Sequence, residues 1–160
     1  MKIQTLLAIL ASALVTHAGE TTPVVIPVQG GATATTSQFG NGYITRTTDG
    51  QTFTTSQFGS GTITRDSKGN TWTTSQFGNG AITRGPDGQT VTTSKFGSGY
   101  INRDNQGSTS TTSKFGDGTI TRGSGAVTET TAPFGTGYIT RGTATSTPAS
   151  NNVIVLPARK

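Results

Sequence analysis

The chain has no cysteine and a single histidine, His17. Disulfide staples and thiolate metal sites are therefore excluded. A chain that had lost its first 18 residues would also lack an imidazole for a zinc site or a nucleophile–base pair. Leucine is confined to positions 6, 7, 10, 14 and 156, and hydrophobic residues make up only 29% of the sequence, so a conventional Leu/Val core is not available. A chain so poor in apolar side chains is either disordered or held by regular backbone hydrogen bonding.

Lys2, the mostly apolar run from Ile3 to Val15, and Thr16-His17-Ala18 together read as a secretory signal peptide over residues 1–18, cleaved after Ala18, with Ala11-Ser12-Ala13 as an upstream alternative. The run is too short to span a bilayer as a helix. The expected location is extracellular or at the cell surface, with the periplasm as an alternative. Beyond residue 18, 11 cationic and 7 acidic side chains leave a formal charge of +4.

What the chain has in quantity is glycine (23 residues), threonine and serine, and these recur with a period. Phe39, Phe58, Phe77, Phe96, Phe115 and Phe134 are spaced 19 residues apart, inside segments such as TTSQFGNGYITR and TTSKFGDGTITR. Six copies in one register are the signature of a repeat architecture. Each copy contains two strand-like pieces rich in β-branched and aromatic residues, exemplified by Gln51–Phe58 and Tyr43–Arg46. They are punctuated by Phe-Gly-x-Gly and by a second glycine turn such as Asp49-Gly50 or Lys68-Gly69. Side chains alternate faces along a strand, so two-residue turns at both ends of a 19-residue unit would flip Phe and Ile in each successive copy. One irregularity per copy is required, and Gly-x-Gly is its natural place.

The expected fold is all-β: six 19-residue strand–turn–strand repeats over residues 33–142, wound as a β-solenoid, with a bulged hairpin meander as the alternative. Residues 19–32 form an N-terminal segment, and 143–160 a linker and C-terminal strand around Val153–Pro157. In a solenoid, equivalent residues stack, so the recurring face belongs inside. Phe39, Phe58, Phe77, Phe96, Phe115, Phe134 and Ile44, Ile63, Ile82, Ile101, Ile120, Ile139 are then the core ladder, with Thr52, Thr54, Ser56 and their equivalents beside them. The unlike residues Phe53, Trp72, Val91, Ser110 and Glu129 face out, and Pro133 suits a terminal or edge strand.

Two polar ladders are candidate binding features. Arg46, Arg65, Arg84, Arg103, Arg122 and Arg141 form a basic stripe able to hold acidic polysaccharide, extracellular DNA or lipopolysaccharide phosphate, unless pairing with Asp49, Asp66, Asp87 and Asp104 neutralises it. Thr33/Thr35, Thr52/Thr54, Thr71/Thr73, Thr90/Thr92, Thr109/Thr111 and Thr128/Thr130 form a Thr-x-Thr ladder which, outward on a flat sheet, would resemble the ice-binding face of β-solenoid antifreeze proteins. The carboxylates are scattered, and Gly-Asp-Gly occurs once, at Gly116–Gly118. No catalytic residue, metal ligand or cofactor is expected.

The Ser37, Gln38, Gly40, Gly42 pattern, repeated at Ser56, Gln57, Gly59, Gly61 and at Ser75, Gln76, Gly78, Gly80, resembles the repeat of curli subunits, the secreted functional amyloids of bacterial biofilms. It departs from that repeat in Lys95, Lys114 and Pro133 and in an arginine ladder replacing the second amide ladder. The resemblance implies export as an unfolded monomer, nucleation on a surface and growth by strand addition. The expected function is that of a self-assembling matrix protein whose main partner is itself. A monomeric binding module and an ice-binding solenoid are the alternatives.

Overall fold

The computed structural model describes residues 33–123 and 128–143, together with four short strands nearer the start: β1 (Leu10–Ala11), β2 (Val15–His17), β3 (Glu20–Thr22) and β4 (Val25–Ile26). β1 pairs with β4 and β2 with β3. The rest of the expected leader and the whole expected C-terminal strand lie outside the described residues.

Each repeat contributes two strands. They are β5 (Ala34–Phe39) and β6 (Gly42–Thr47), β7 (Thr52–Phe58) and β8 (Gly61–Asp66), β9 (Thr71–Phe77) and β10 (Gly80–Arg84), β11 (Thr90–Phe96) and β12 (Gly99–Asp104), β13 (Thr109–Phe115) and β14 (Gly118–Gly123), β15 (Thr128–Phe134) and β16 (Gly137–Thr143). All twelve are antiparallel and close into one barrel, with β16 pairing back onto β5. The all-β repeat architecture is as expected, but the solenoid is not: consecutive copies sit side by side around an axis instead of stacking along one.

The irregularity that parity demands sits at the opposite turn from the one expected. At Phe-Gly-x-Gly the strands close across two residues, Phe39 pairing with Gly42, with Gly40 in the left-handed region at φ 57° as short hairpin turns require. At the other turn Thr47 N–H donates to Gln51 O and Gly50 N–H to Thr47 O, which encloses three residues and places Gly50 at φ 85°. A three-residue loop with a left-handed glycine supplies the odd residue, so Phe and Ile stay on one face in every copy. Aspartates hold these turns: Asp66 Oδ1 accepts from the backbone N–H of Lys68 and Asn70, and Asp104 Oδ1 from those of Gln106 and Ser108.

The same registers explain closure. A path straight across the strands from one copy to the next lands 17 residues on, for example from Gln38 through Tyr43 to Thr55. Each 19-residue copy is thus staggered by two residues, and the stagger accumulates to 12 over six copies, which is the shear that tilts the strands of a closed barrel. The seam carries the same step. Tyr138 pairs with Thr36 as Tyr43 does with Thr55, so the first copy occupies the place of a seventh. The six copies are therefore related by rotation about the barrel axis, and equivalent residues lie at one level.

Closure reverses the expected faces. The six phenylalanines of the supposed core ladder, Phe39, Phe58, Phe77, Phe96, Phe115 and Phe134, are 58–63% exposed, and Ile44, Ile63, Ile82, Ile101, Ile120 and Ile139 are on the same outward face, half-buried. The face carrying Ala34, Phe53, Trp72, Val91, Ser110 and Glu129 is inside, each side chain at most 3% exposed. The reason is steric. Around an axis, equivalent residues converge on one another, and six identical large side chains cannot share one level. Across the ring, three copies apart, Phe53 faces Ser110, Trp72 faces Glu129 and Val91 faces Ala34, so large is set against small. Phe53 and Trp72 meet edge to face at 6.2 Å between ring centroids, and Gly85 leaves room for the indole, since a Cβ there would lie 2.6 Å from Trp72 Nε1. Pro133 is on no edge strand. It lies beyond Thr131, the last residue of β15 that pairs with β14, where no ladder bond is forfeited.

Below this level the interior is lined by hydroxyls. Thr36 and Thr45 share a hydrogen bond of 2.8 Å, and Thr55–Thr64, Thr74–Thr83, Thr112–Thr121 and Thr131–Thr140 each share one of 2.9 Å. In the fourth copy Thr93 donates to Asn102 Oδ1 at 2.8 Å. Paired hydroxyls are tolerated in a buried interior because each satisfies the other. Thr74→Val alone strands the Thr83 hydroxyl and should cost about 1–3 kcal/mol, whereas Thr74→Val with Thr83→Val should be close to neutral. Urea midpoints of the three variants measure this.

Candidate functional site: two rings on the barrel surface

Six-fold rotation turns each recurring outward residue into a ring. The Gly-x-Gly turns form one rim of the barrel, encircled by the six phenylalanines. At this rim the inward-facing positions hold exposed Gln38, Gln57, Gln76, Lys95, Lys114 and Pro133, opposite half-buried Tyr43, Tyr100 and Tyr138. Burial raises the Tyr100 phenol above its ordinary pKa. The charges of this rim are Lys95, Lys114 and Asp117.

Toward the opposite rim lies the arginine ring. Arg46, Arg65, Arg84, Arg103, Arg122 and Arg141 are all exposed. The strand pairing brings together the two ladders that the sequence left separate. Arg46 stands between Thr35 and Thr52, Arg65 between Thr54 and Thr71, Arg84 between Thr73 and Thr90, Arg103 between Thr92 and Thr109, and Arg122 between Thr111 and Thr128. Directly opposed residues in an antiparallel pair have Cβ atoms about 5 Å apart. Arg141 stands beside Thr130, so the ring sets six guanidiniums among hydroxyls, a donor set suited to phosphate, sulfate or carboxylate. Of the turn carboxylates, those of Asp66 and Asp104 accept from backbone N–H groups, and Asp49 from Thr47 Oγ1 and Gln51 Nε2. The Thr-x-Thr ladder does face outward. It wraps around a curved surface and alternates with Ile and Arg strands, and so lacks the flat plane that the ice-binding comparison requires.

The fold and its surface define a closed twelve-stranded antiparallel barrel with six-fold internal symmetry. No protein-family model, no curated protein and no solved structure matches the chain. Among the described residues no group of His, Cys, Asp and Glu is gathered in a way that could hold a metal ion, and no helix is long and apolar enough to cross a membrane.

Proposed function

We propose that this chain is a secreted, rigid, six-valent binding module of the cell surface or extracellular matrix, and that its ligand is an anionic polymer such as acidic polysaccharide, DNA or lipopolysaccharide phosphate, gripped along the arginine ring. The observation that carries this is the ring itself: six exposed guanidiniums at one level, five of them between two paired threonines and Arg141 beside Thr130. Neighbouring copies are two strands apart, which puts adjacent arginines about 12 Å from one another along the barrel wall. A chain polymer wrapping the barrel engages several at once, so weak single contacts add through effective concentration. The test is binding to a soluble polyuronate and to DNA at rising salt. Affinity should fall steeply with salt, and each pair of Arg→Gln changes should lower both affinity and salt slope. Binding that survives all six changes, or no binding at low salt, removes this reading.

A second reading, assembly by strand addition, draws on the β16–β5 seam. It holds three paired positions, one fewer than the four at each of the other junctions between copies. A closed ring offers no edge for another chain, but an opened seam offers two. Fibres with a 4.7–4.8 Å reflection, abolished by a disulfide engineered across Thr35 and Ile139, would favour it. Fibres from the locked barrel would count against this seam-opening route.

A further inference from the structure

We infer that the phenylalanine rim docks the barrel, end on, against an anionic lipid bilayer surface, separately from the arginine ring. Six rings about 60% exposed present roughly 700 Å² of aromatic surface in total, divided among six separate side chains. Rotational symmetry places all six at one height, so all can meet a plane together. Charge is segregated along the axis. Among the described residues the charges of this rim are Lys95, Lys114 and Asp117, while six arginines, Lys68, Asp49, Asp66 and Asp104 stand toward the other end. Two lysines against one aspartate match an anionic headgroup layer.

The spacing of the rings selects the occupant. Phenylalanines about 12 Å apart around the rim are separated by Gly-x-Gly turns and do not merge into the contiguous dry core that a protein partner or a second barrel would need. Acyl chains, being fluid, close around isolated side chains one by one. The barrel docks and does not cross: its strands are five to seven residues long, short of the 9–11 of a spanning strand, and its outer wall carries the arginines.

The test is co-sedimentation of the full chain with vesicles of pure phosphatidylcholine and of equal parts phosphatidylcholine and phosphatidylglycerol. The chain should pellet with the mixed vesicles. Phe58→Ser/Phe77→Ser/Phe96→Ser should lower the partition coefficient about tenfold or more while β circular dichroism and Trp72 emission stay as in the parent. Phe77→Trp should show an added blue-shifted emission on the same vesicles and none without them. The inference is overturned if the parent stays in the supernatant with both vesicles, or if the folded triple variant pellets equally well, which would assign binding to the cationic groups. It is also overturned if sedimentation equilibrium shows a dimer that the triple variant abolishes, since a second copy then covers the rim.

Discussion

Trp72→Ala should lower the stability of the barrel by about 3–5 kcal/mol, whereas Phe77→Ala, five residues further along the same strand, should cost less than about 1 kcal/mol. The two aromatics are similar in size and sit on opposite faces of β9. Trp72 is wholly buried, packed edge-on against Phe53 and set across the ring from Glu129. Its truncation removes the largest interior side chain and leaves a void that neither Thr64 nor Thr83 is long enough to fill. Phe77 is 61% exposed, and most of its ring is in water before and after unfolding. At about 4 °C per kcal/mol for a barrel of this length, the first change should depress the melting temperature by more than about 10 °C and the second by a few degrees at most. A stacked solenoid with the phenylalanines inside requires the reverse order. The pair therefore separates the two architectures with one melting experiment each.

The strands and their period are legible in the sequence because they rest on local signals: β-branched runs, glycine at fixed offsets, and six identical registers. The strand expected at Gln51–Phe58 is found at Thr52–Phe58. The demand for one irregularity per copy also follows from parity alone. Its location does not, because Gly-x-Gly and Asp-Gly both contain glycine, and only the hydrogen bond from Thr47 N–H to Gln51 O reveals which loop holds the odd residue.

Which face is buried is not legible in the sequence, because uniformity along the chain has opposite meanings in a stack and in a ring. In a stack, like residues touch like residues, so a ladder of identical side chains marks the interior. In a ring, like residues converge on an axis, and the interior is where the copies must differ. Phe53, Trp72, Val91, Ser110 and Glu129 share no chemistry because they fill one shared space from different sides. The binding surface inherits the same logic. Nothing at the axis disturbs the outward positions, so Phe, Ile, Arg and Thr recur there unchanged. A periodic arginine and a periodic Thr-x-Thr were visible separately, but their interleaving depends on which strand lies beside which, and that depends on closure.

Gly80→Ala should cost about 3 kcal/mol or more, while Gly78→Ala, two residues earlier in the same turn, should cost about 1–2 kcal/mol. Gly78 sits at φ 55° with open space around its missing Cβ, so alanine there meets only the intrinsic penalty of a left-handed conformation. Gly80 has no positive φ, and its constraint is spatial. A Cβ would collide with the carbonyl oxygen of Thr93 on the neighbouring copy and stand 3.0 Å from Ser94 Cα, both backbone atoms that cannot rotate away. Gly42 meets Thr55 in the same way, Gly61 meets Thr74, Gly99 meets Thr112, Gly118 meets Thr131, and Gly137 meets Thr36 across the seam. These six glycines are where each hairpin leans on the next copy, so relief at any one would require adjacent copies to separate and the ring to widen. Urea titration should show Gly80→Ala and Gly137→Ala losing similar stability, because the seam has the geometry of every other junction. A Gly137→Ala variant as stable as the parent would mean that β16 and β5 do not meet in solution and that the barrel is open.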